Sequence, residues 1–262
     1  MHPEIIKDRD LHVWILGKDQ IDDSLASSYL DLLNEQEKSC YEQFRSENKQ
    51  KEYLYSRALV HTVLSIYQPE IAPHTWEFDK GEFGKPEISH SLSSTIKFNL
   101  SHSKNMIVLA TTIHSDIGVD VEYIQRRVRC TDIAQRYFTE NETSELMSSS
   151  ESERQKLFFK LWTIKEAMGK ASGQGLSAAL DSIGISITDN GIILTENNAT
   201  SLFKEKQYKC WQATISPDYI LSLAVLDNKK SPRFEGEVIC HEIVPHKALN
   251  KRALNWNISR IN

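Results

Sequence analysis

Two carboxylates stand two residues apart within the stretch 117–122, whose other side chains are apolar or absent (IGVDVE). The apolar residues predict a buried strand, and because successive strand residues point to opposite faces, Asp120 and Glu122 share one face. Neighbouring acids on a mostly buried strand repel each other and are costly to desolvate, so a positive charge should compensate them. That charge is either a divalent cation with oxygen ligands, most simply Mg²⁺, or the nearby Arg126 and Arg127. A strand that ends at Asp120 would instead leave the acids solvated.

The second stretch that could do chemistry is 152–171, which predicts a helix with apolar residues on two faces. A helix that is apolar on both sides is buried on both sides, so Glu166 and Lys170 differ from an ordinary surface pair. They lie one helical turn apart, and an i,i+4 salt bridge is the simpler interpretation of them. Lys165 points sideways from both and is expected to reach the protein edge or to pair with a neighbouring acid.

Three further groups of polar residues could take part in the same chemistry. The predicted strand 96–100 runs into Ser101-His102-Ser103, which adds hydroxyl and imidazole donors. The turn-rich loop 81–86 presents Lys85, although an exposed lysine is common in such loops. Basic residues cluster where the first two predicted helices meet, with interspersed glutamates that favour a solvated charged face. They are Arg45, Lys49, Lys51 and Arg57.

The hydrophobic periodicity predicts a chain of mixed helices and strands. Predicted helices cover residues 24–44, 46–67, 130–137, 141–147 and 152–171. Predicted strands cover residues 11–16, 76–78, 96–100, 106–113, 117–122, 183–188, 192–195, 208–215 and 219–226, with a hairpin turn at 189–191. The tail predicts one strand at 234–240 and a weak helix at 248–256. Strand pairs follow helices around 96–122 and again around 183–226, which indicates an α+β fold of two similar halves.

Composition limits the classes of protein to which this chain can belong. Its 262 residues carry a formal net charge of −5, so no global basic field argues for a nucleic-acid partner. The longest apolar runs have strand length and are too short to span a membrane, and the N-terminus lacks the apolar core of a signal peptide. The four cysteines are widely scattered, which favours neither a zinc site nor a disulfide framework. We therefore expect a cytoplasmic protein.

Four segments in matching order and spacing resemble the Sfp-type 4'-phosphopantetheinyl transferases. They are Gly84-Lys85-Pro86, FNLSHS at 98–103, IGVDVE at 117–122 and LWTIKEAMGKA at 161–171, the last followed by GQGL at 173–176. Each segment alone is a weak motif, whereas four in register argue against chance agreement. The resemblance covers about residues 10–226 and leaves the tail unexplained.

The resemblance implies a monomer of two pseudo-symmetric α+β halves, each a mainly antiparallel sheet with packed helices. Coenzyme A would lie in the cleft between the halves. Residues 1–115 would form the N-terminal half with the 3'-phosphate side and the Ser-His segment, and residues 116–228 the C-terminal half with the magnesium site. Residues 229–262 would be an extension of unknown role. The implied reaction moves 4'-phosphopantetheine onto a serine of an apo acyl or peptidyl carrier protein and releases 3',5'-ADP.

The resemblance also implies ligands for the metal and for coenzyme A. Mg²⁺ would bridge the pyrophosphate of coenzyme A while bound to Asp120, Glu122 and Glu166. The residues that match phosphate contacts of the family are Lys85, Ser101, His102 and Lys170. Physics supports this set independently, because Mg²⁺ keeps several waters and suits a few carboxylates plus substrate phosphates.

The catalytic residues implied by the resemblance are Glu166, Lys170 and His102. The base that takes the serine proton would be Glu166 or a metal-bound water, and the sequence does not choose between them. In the family, basic residues on the N-terminal helices usually hold the 3'-phosphate. Here Arg57, Lys51 and Arg45 are the candidates, with His61 where an arginine is common.

Two other classes of function fit part of the pattern. Paired carboxylates alone also fit a magnesium-dependent nuclease or phosphohydrolase, although the chain offers no surplus of acids for a second ion. A non-catalytic module that binds carrier proteins would have no reason to keep the buried charges of Asp120, Glu122, Glu166 and Lys170. The sequence does not indicate which carrier protein or pathway the enzyme serves.

Overall fold

The computed structural model of the chain describes residues 10–81, 84–113, 115–173, 183–188, 191–196, 206–228, 236–247 and 249–261. The chain divides into two units. Unit 1 consists of Met1–Leu100, Asn105–His114 and Gly236–Ala253. Unit 2 consists of Ser101–Lys104, Ser115–Glu235 and Leu254–Asn262. The C-terminal residues, whose role the sequence leaves open, are thus shared between both units.

The described residues form a mixture of strands and helices, as the hydrophobic periodicity predicts. The strands are β1 (Leu11–Gly17), β2 (Phe78–Lys80), β3 (Pro86–Ile88), β4 (Ile96–Ser103), β5 (Met106–Ile113), β6 (Asp116–Tyr123), β7 (Ile183–Thr188), β8 (Gly191–Glu196), β9 (Lys206–Ser216), β10 (Tyr219–Asn228), β11 (Val238–Glu242), β12 (Asn250–Arg252) and β13 (Asn257–Ile261). The helices are α1 (Asp23–Ser28), α2 (Glu35–Glu42), α3 (Glu47–Tyr67), α4 (Cys130–Tyr137), α5 (Glu140–Ser148) and α6 (Glu151–Ser172). None of these described helices combines the length and hydropathy that a membrane crossing requires.

Unit 1 is built on a five-stranded sheet in the order β12-β11-β1-β5-β4. The central strand β1 runs antiparallel to β5 and parallel to β11. Its residues 11–16 are buried on both faces, as expected of a central strand that is covered on both sides, and His12 is the polar residue among them. The core of this unit joins sheet residues such as Trp14 and Leu109 to Leu59 and Leu64 of α3. Strands β2 and β3 form a separate antiparallel pair.

Unit 2 is built on a six-stranded sheet in the order β6-β10-β9-β13-β8-β7. All neighbours described in this sheet are antiparallel except β13 and β8, which are parallel. Helix α6 lies against β6 and β10, and its residues Phe159, Ile164 and Met168 are fully buried in the core of the unit. Mainly antiparallel sheets with packed helices in each unit confirm the predicted α+β class.

Helix α6 carries apolar residues around its circumference and is buried accordingly, as the sequence predicts. It ends at Gly173, which adopts the left-handed conformation with a φ of 74° and caps the helix. The two faces that the sequence distinguishes therefore both meet protein. This is the element that positions Glu166 and Lys170.

The predicted helix 24–44 is wrong as a single helix. It is interrupted after α1 by a 3₁₀ turn at Tyr29–Leu32, and α2 begins anew after Asn34. The Asn34 side chain accepts from Glu37 N at 2.9 Å while the Glu37 carboxylate accepts from Asn34 N at 3.3 Å. This capping box starts a helix with its own axis, and the Asn-x-x-Glu spacing is its sequence signature.

The tail also differs from its prediction. The predicted helix at 248–256 is wrong, because residues 250–252 form β12 and residues 253–256 are not helical. Pairing of Arg252 with Cys240 in the neighbouring strand overrides a weak local preference for helix. The predicted strand 234–240 is displaced to β11, and positions 234 and 235 lie outside the described residues. The predicted strand 76–78 is likewise displaced to β2, and of the predicted hairpin turn 189–191 only residue 191 is described.

Candidate active site

Strand β6 and helix α6 approach each other unusually closely at Gly118. A Cβ atom at this position would lie 1.9 Å from the Ala167 carbonyl oxygen and 2.5 Å from the Ala171 amide nitrogen. Non-bonded atoms do not come this close, so a side chain other than hydrogen would push the helix off the strand. The absence of a side chain here therefore allows α6 to present its residues directly beside the acids of β6.

Asp120 is buried and is held by residues from two other elements. Its Oδ1 accepts from Lys170 Nζ at 2.7 Å and from the Ser101 hydroxyl at 2.9 Å. Lys170 Nζ also donates to Ser101 Oγ at 3.1 Å and to the Val119 carbonyl oxygen at 3.0 Å. Asp120 Oδ2 is buried without a hydrogen-bond partner. One carboxylate oxygen is thus fully engaged while the other is left to a further ligand.

Glu122 lies two residues further along β6 and forms an ion pair with a different basic side chain. Its Oε1 is 2.7 Å from Arg126 Nη2, and its Oε2 accepts from the Ser103 hydroxyl at 3.0 Å. The predicted pairing of the strand acids with a nearby arginine is therefore confirmed for Arg126 and Glu122. The side chain of Arg127, the other arginine considered, is exposed.

Glu166 sits half-buried on α6 and is electrostatically coupled to both strand acids. Burial raises its pKa to about 7, with further upward contributions from Asp120 and Glu122, while Lys170 opposes them. Burial and Asp120 also raise the pKa of Glu122, and Arg126 works against this rise. Asp120 thus raises the pKa of both glutamates, and the only cations in contact with the strand acids among the described residues are Lys170 and Arg126.

The donor chemistry of this site fits a small divalent cation. Across the described residues, no three His, Cys, Asp or Glu side chains already stand at the spacing of a closed metal site. The unpartnered Oδ2 of Asp120 and the raised pKa of Glu166 nevertheless identify unsatisfied negative charge that an ion would neutralise. Oxygen donors alone suit Mg²⁺, which retains waters rather than requiring a full protein cage.

The end of β4 lies beside β6 through its two serines. Ser101 Oγ accepts from Val121 N at 3.3 Å, and Ser103 Oγ accepts from Tyr123 N at 3.0 Å. Because side chains alternate along a strand, His102 points to the opposite face from both serines, and it is exposed. The structure therefore brings Ser101 to the acids, whereas His102 faces away from the serine side of its strand. From the sequence, Ser103 is only an additional hydrogen-bond donor. In the structure it donates to Glu122 and thereby helps to position this acid.

The remaining predicted site residues, Lys85, Arg57 and Lys51, belong to unit 1. Lys85 is half-buried and follows Gly84, which has a φ of 82°. Lys51 forms an ion pair with Glu47 at 2.8 Å. The resemblance implies that these three residues bind anions together with Ser101, His102 and Lys170. The latter three belong to unit 2.

Arg57 is ordered by aromatic and acidic neighbours within unit 1. Its guanidinium lies over the rings of Tyr53 and Phe78, at 5.4 Å and 5.7 Å from their centroids. Its Nη1 is 3.6 Å from Glu37 Oε1, and the buried His61 Nε2 is 2.7 Å from the other oxygen of that carboxylate. His61, at a position where the resemblance implies an arginine, is therefore held by an acid inside the protein.

Lys165 is not at the protein edge, as one of its two predicted placements required. Its Nζ lies 3.1 Å from Glu142 Oε2 and donates to the Ile183 carbonyl oxygen at 3.0 Å. The alternative prediction, pairing with a neighbouring acid, is confirmed. Glu142 also accepts from Thr139 N and Ile185 N, both at 2.7 Å. The capping-box spacing of Thr139 and Glu142 is visible in the sequence, but the buried partner of this glutamate is not.

A buried polar network fixes α6 to the sheet beneath the site. Gln212 Nε2 on β9 donates to the Lys160 carbonyl oxygen at 2.8 Å and to Ser222 Oγ at 3.0 Å. Ser222 in turn donates to Thr163 Oγ1 at 2.8 Å. Ser222 is the residue of β10 paired with Asp120 in β6, so the network reaches the strand position next to the buried acid. The elements that carry Gln212, Ser222 and Thr163 are predicted from the sequence, whereas this network between their side chains is not.

Comparison with known proteins decides the family. A family model described as 4'-phosphopantetheinyl transferase superfamily matches residues 116–224, and one described as 4'-phosphopantetheinyl transferase, N-terminal, matches residues 22–114. The 4'-phosphopantetheinyl transferase HetI of Nostoc sp. is 31% identical over 180 residues, which are 68% of this chain and 75% of that protein. The chain belongs to the 4'-phosphopantetheinyl transferase superfamily. The predicted family is confirmed, and the enzyme is a phosphopantetheine transferase rather than a hydrolase or a non-catalytic module.

Further members of the superfamily agree with this assignment. The 4'-phosphopantetheinyl transferase Sfp of Bacillus subtilis is 32% identical over 143 residues, 55% of this chain and 61% of that protein. Among solved structures, a holo-(acyl-carrier-protein) synthase from Bacillus anthracis in complex with CoA (3',5'-ADP) is 24% identical with a TM-score of 0.35. That match covers 42% of the transferase chain and 94% of the synthase. The assignment rests on the sequence relatives and not on this slight structural likeness.

Proposed function

We propose that this enzyme transfers the 4'-phosphopantetheine group of coenzyme A to a serine of an apo acyl or peptidyl carrier protein and releases 3',5'-ADP. The observation that carries the proposal is the meeting of Lys170 with Asp120, beside Glu122 and Glu166, in a chain of this superfamily. A lysine and three acids in one half-buried site suit a reaction in which phosphate charge must be bound and neutralised.

We propose Asp120, Glu122 and Glu166 as the residues that hold Mg²⁺. The unpartnered Asp120 Oδ2 and the raised pKa of Glu166 support this set, because both indicate negative charge in need of a cation. When bound, the ion supplies neutralising charge for the pyrophosphate of coenzyme A. Oxygen ligands on a strand and on a helix packed against it hold their spacing well, since Gly118 keeps the two elements in contact.

The chain's own residues act on the leaving group and on the nucleophile. The serine oxygen of the carrier attacks the phosphorus of the phosphopantetheine phosphate, and the bond from that phosphorus to the bridging oxygen of 3',5'-ADP breaks. Lys170 is placed to neutralise charge on the departing phosphate. Glu166, which lies on α6 beside both strand acids, is our candidate to accept the serine proton.

We assign the remaining anion contacts from the family resemblance. Ser101 donates to Asp120 in the structure and has a lysine ammonium beside it, which supports a role near the pyrophosphate. His102 is exposed, and Lys85, Arg57 and Lys51 are the basic candidates of unit 1. Arg57 is the strongest candidate for the 3'-phosphate, since its two aromatic neighbours hold the guanidinium in place.

The direct test incubates the enzyme with coenzyme A, Mg²⁺ and a panel of apo carrier proteins, and measures the mass of each carrier. We expect a gain of one phosphopantetheine on at least one carrier, and the panel identifies which carrier is preferred. Asp120→Ala, Glu122→Ala and Glu166→Ala should each abolish most transfer, whereas the exposed control Arg127→Ala should not. Near-full turnover of any of the three at saturating Mg²⁺ would remove that residue from the ligand set. No mass gain on any carrier would contradict the proposed reaction.

A further inference from the structure

Both acids of β6 already hold a basic side chain. Lys170 Nζ is 2.7 Å from Asp120 Oδ1, and Arg126 Nη2 is 2.7 Å from Glu122 Oε1. The two cations come from different elements of unit 2, since Lys170 lies on α6 and Arg126 follows β6. The site is therefore partly neutralised by the protein itself, one cation to each strand acid.

The Arg126 guanidinium competes with any metal for Glu122, whereas Asp120 keeps its Oδ2 without a hydrogen-bond partner. A divalent ion bound to Glu122 would lie within a few ångströms of the Arg126 guanidinium if the ion pair stayed in place. Like charges at a separation of about 4 Å repel each other at a protein surface. Metal binding to Glu122 therefore disfavours the present position of Arg126.

We propose that Arg126 is an internal counterion which a divalent cation displaces from Glu122, and that Arg126 thereby limits the metal affinity of the free enzyme. This inference rests on the proposed metal site and adds to it a residue that the four matching segments do not include. Its consequence is that metal and anionic co-substrate bind together, because the phosphates of coenzyme A offer the displaced guanidinium a new partner.

Arg126 is the residue in which this inference can be tested without damage to the site. Its side chain is 48% exposed, so it can leave Glu122 for solvent. Its guanidinium also lies over the Phe159 ring, at 5.2 Å from the centroid, and this cation–π contact does not depend on Glu122. Lys170 is unsuitable for the test, because it donates to Ser101 and to the Val119 carbonyl as well as to Asp120.

The experiment titrates the coenzyme A-free enzyme with Mn²⁺, a probe for Mg²⁺ that electron paramagnetic resonance detects directly. Wild type is compared with Arg126→Gln and with the control Arg127→Gln, which removes an equal charge from the adjacent exposed position. Arg126→Gln should bind Mn²⁺ about two- to fivefold more tightly, the range expected when a partly exposed ion pair no longer competes. Arg127→Gln should change the affinity clearly less, and Arg126→Lys, which keeps the charge, should stay close to wild type.

The outcomes separate this inference from the proposed function. If wild type binds Mn²⁺ no better than Glu166→Gln, the proposed metal site itself is wrong. If wild type binds Mn²⁺ at the site but Arg126→Gln gains no more affinity than Arg127→Gln, the metal site stands and the counterion inference is overturned. A gain confined to Arg126→Gln supports displacement, since a merely structural arginine would lower the affinity when removed.

Discussion

Lys165 and Glu142 form an ion pair inside unit 2, with Nζ 3.1 Å from Oε2 and side chains that are 1% and 2% exposed. The pair joins α6 to α5, and both side chains also bond to β7 through Ile183 and Ile185. Lys165 precedes Glu166, and consecutive helix residues are rotated by about 100°. A fixed Lys165 therefore fixes the direction in which α6 presents Glu166 and Lys170 to β6.

Lys165 and Lys170 of α6 should affect different properties when they are substituted. Lys165→Ala leaves the Glu142 carboxylate buried without its cation, and breaking a buried pair from one side costs about 3–5 kcal/mol of unfolding free energy. Lys170→Ala should leave the melting temperature closer to wild type but lower the transfer rate by about a hundredfold or more, as when one preorganised donor is removed. Thermal melts and kinetics with coenzyme A varied measure both effects.

The matched control for Lys165 is the double variant Glu142→Gln with Lys165→Met. It removes both charges from the buried position, so much of the lost stability should return. An unchanged melting temperature in Lys165→Ala would mean that the ion pair does not hold α6. A large loss of transfer rate in Lys165→Ala with an unchanged melting temperature would instead indicate that Lys165 takes part in catalysis.

Gly118 should not tolerate even the smallest side chain. In Gly118→Ala the new Cβ would meet the Ala167 carbonyl oxygen at 1.9 Å, which forces backbone to move on β6 or α6. We expect a loss of about 1–3 kcal/mol or more of unfolding free energy, as for other overpacked cores, and a steep fall in transfer rate. Denaturant unfolding and the carrier-mass assay measure the two losses.

Gly17→Ala is the control for this substitution. Its Cβ would lie 2.8 Å from Asp19 Oδ1, the far end of an exposed side chain that can turn away. The variant should therefore keep both stability and activity close to wild type. Equal behaviour of the two glycine variants would contradict the close contact between β6 and α6.

Glu166 should make the metal-free enzyme less stable as the pH rises. Its pKa is raised from 4.5 to about 7 in the folded protein, so the folded state binds the proton more tightly than the unfolded chain. The stability that this glutamate contributes is complete below pH 4.5 and is lost as the pH rises through about 7. Glu166→Gln should remove this loss, with a gain on the order of 1–3 kcal/mol above neutral pH and little difference in acid.

Melting temperatures with a metal chelator, recorded at pH 5 and pH 8 for both proteins, measure this effect. The melting temperature of Glu166→Gln, relative to that of wild type, should be higher at pH 8 than at pH 5. Glu122→Gln provides a comparison, because its carboxylate keeps Arg126 as a partner and should show a smaller gain. A constant difference between Glu166→Gln and wild type across the range would contradict the raised pKa.

Much of the fold follows from local patterns that the sequence displays. The predicted strand 106–113 and helix 130–137 coincide with β5 and α4, because the continuous apolar run of β5 is buried on both faces and α4 has helical periodicity. The break between α1 and α2 depends on a capping box that a window of apolar residues does not register. The predicted helix at 248–256 is wrong because β12 forms by pairing with β11, an interaction that a local helix preference does not register.

The candidate active site likewise has features that local sequence patterns predict and contacts that they do not. Strand alternation and helix pitch fix the relations between near neighbours, so it is predictable that Asp120 and Glu122 share a face and that Glu166 and Lys170 lie one turn apart. The sequence by itself did not determine which cation each acid holds. Lys170 and Asp120 are separated by 50 positions, and their contact exists only because Gly118 lets α6 lie on β6. The partner of Lys165 was decided likewise by the packing of α5 against α6, since the strength and direction of an ion pair depend on burial that only the tertiary structure supplies.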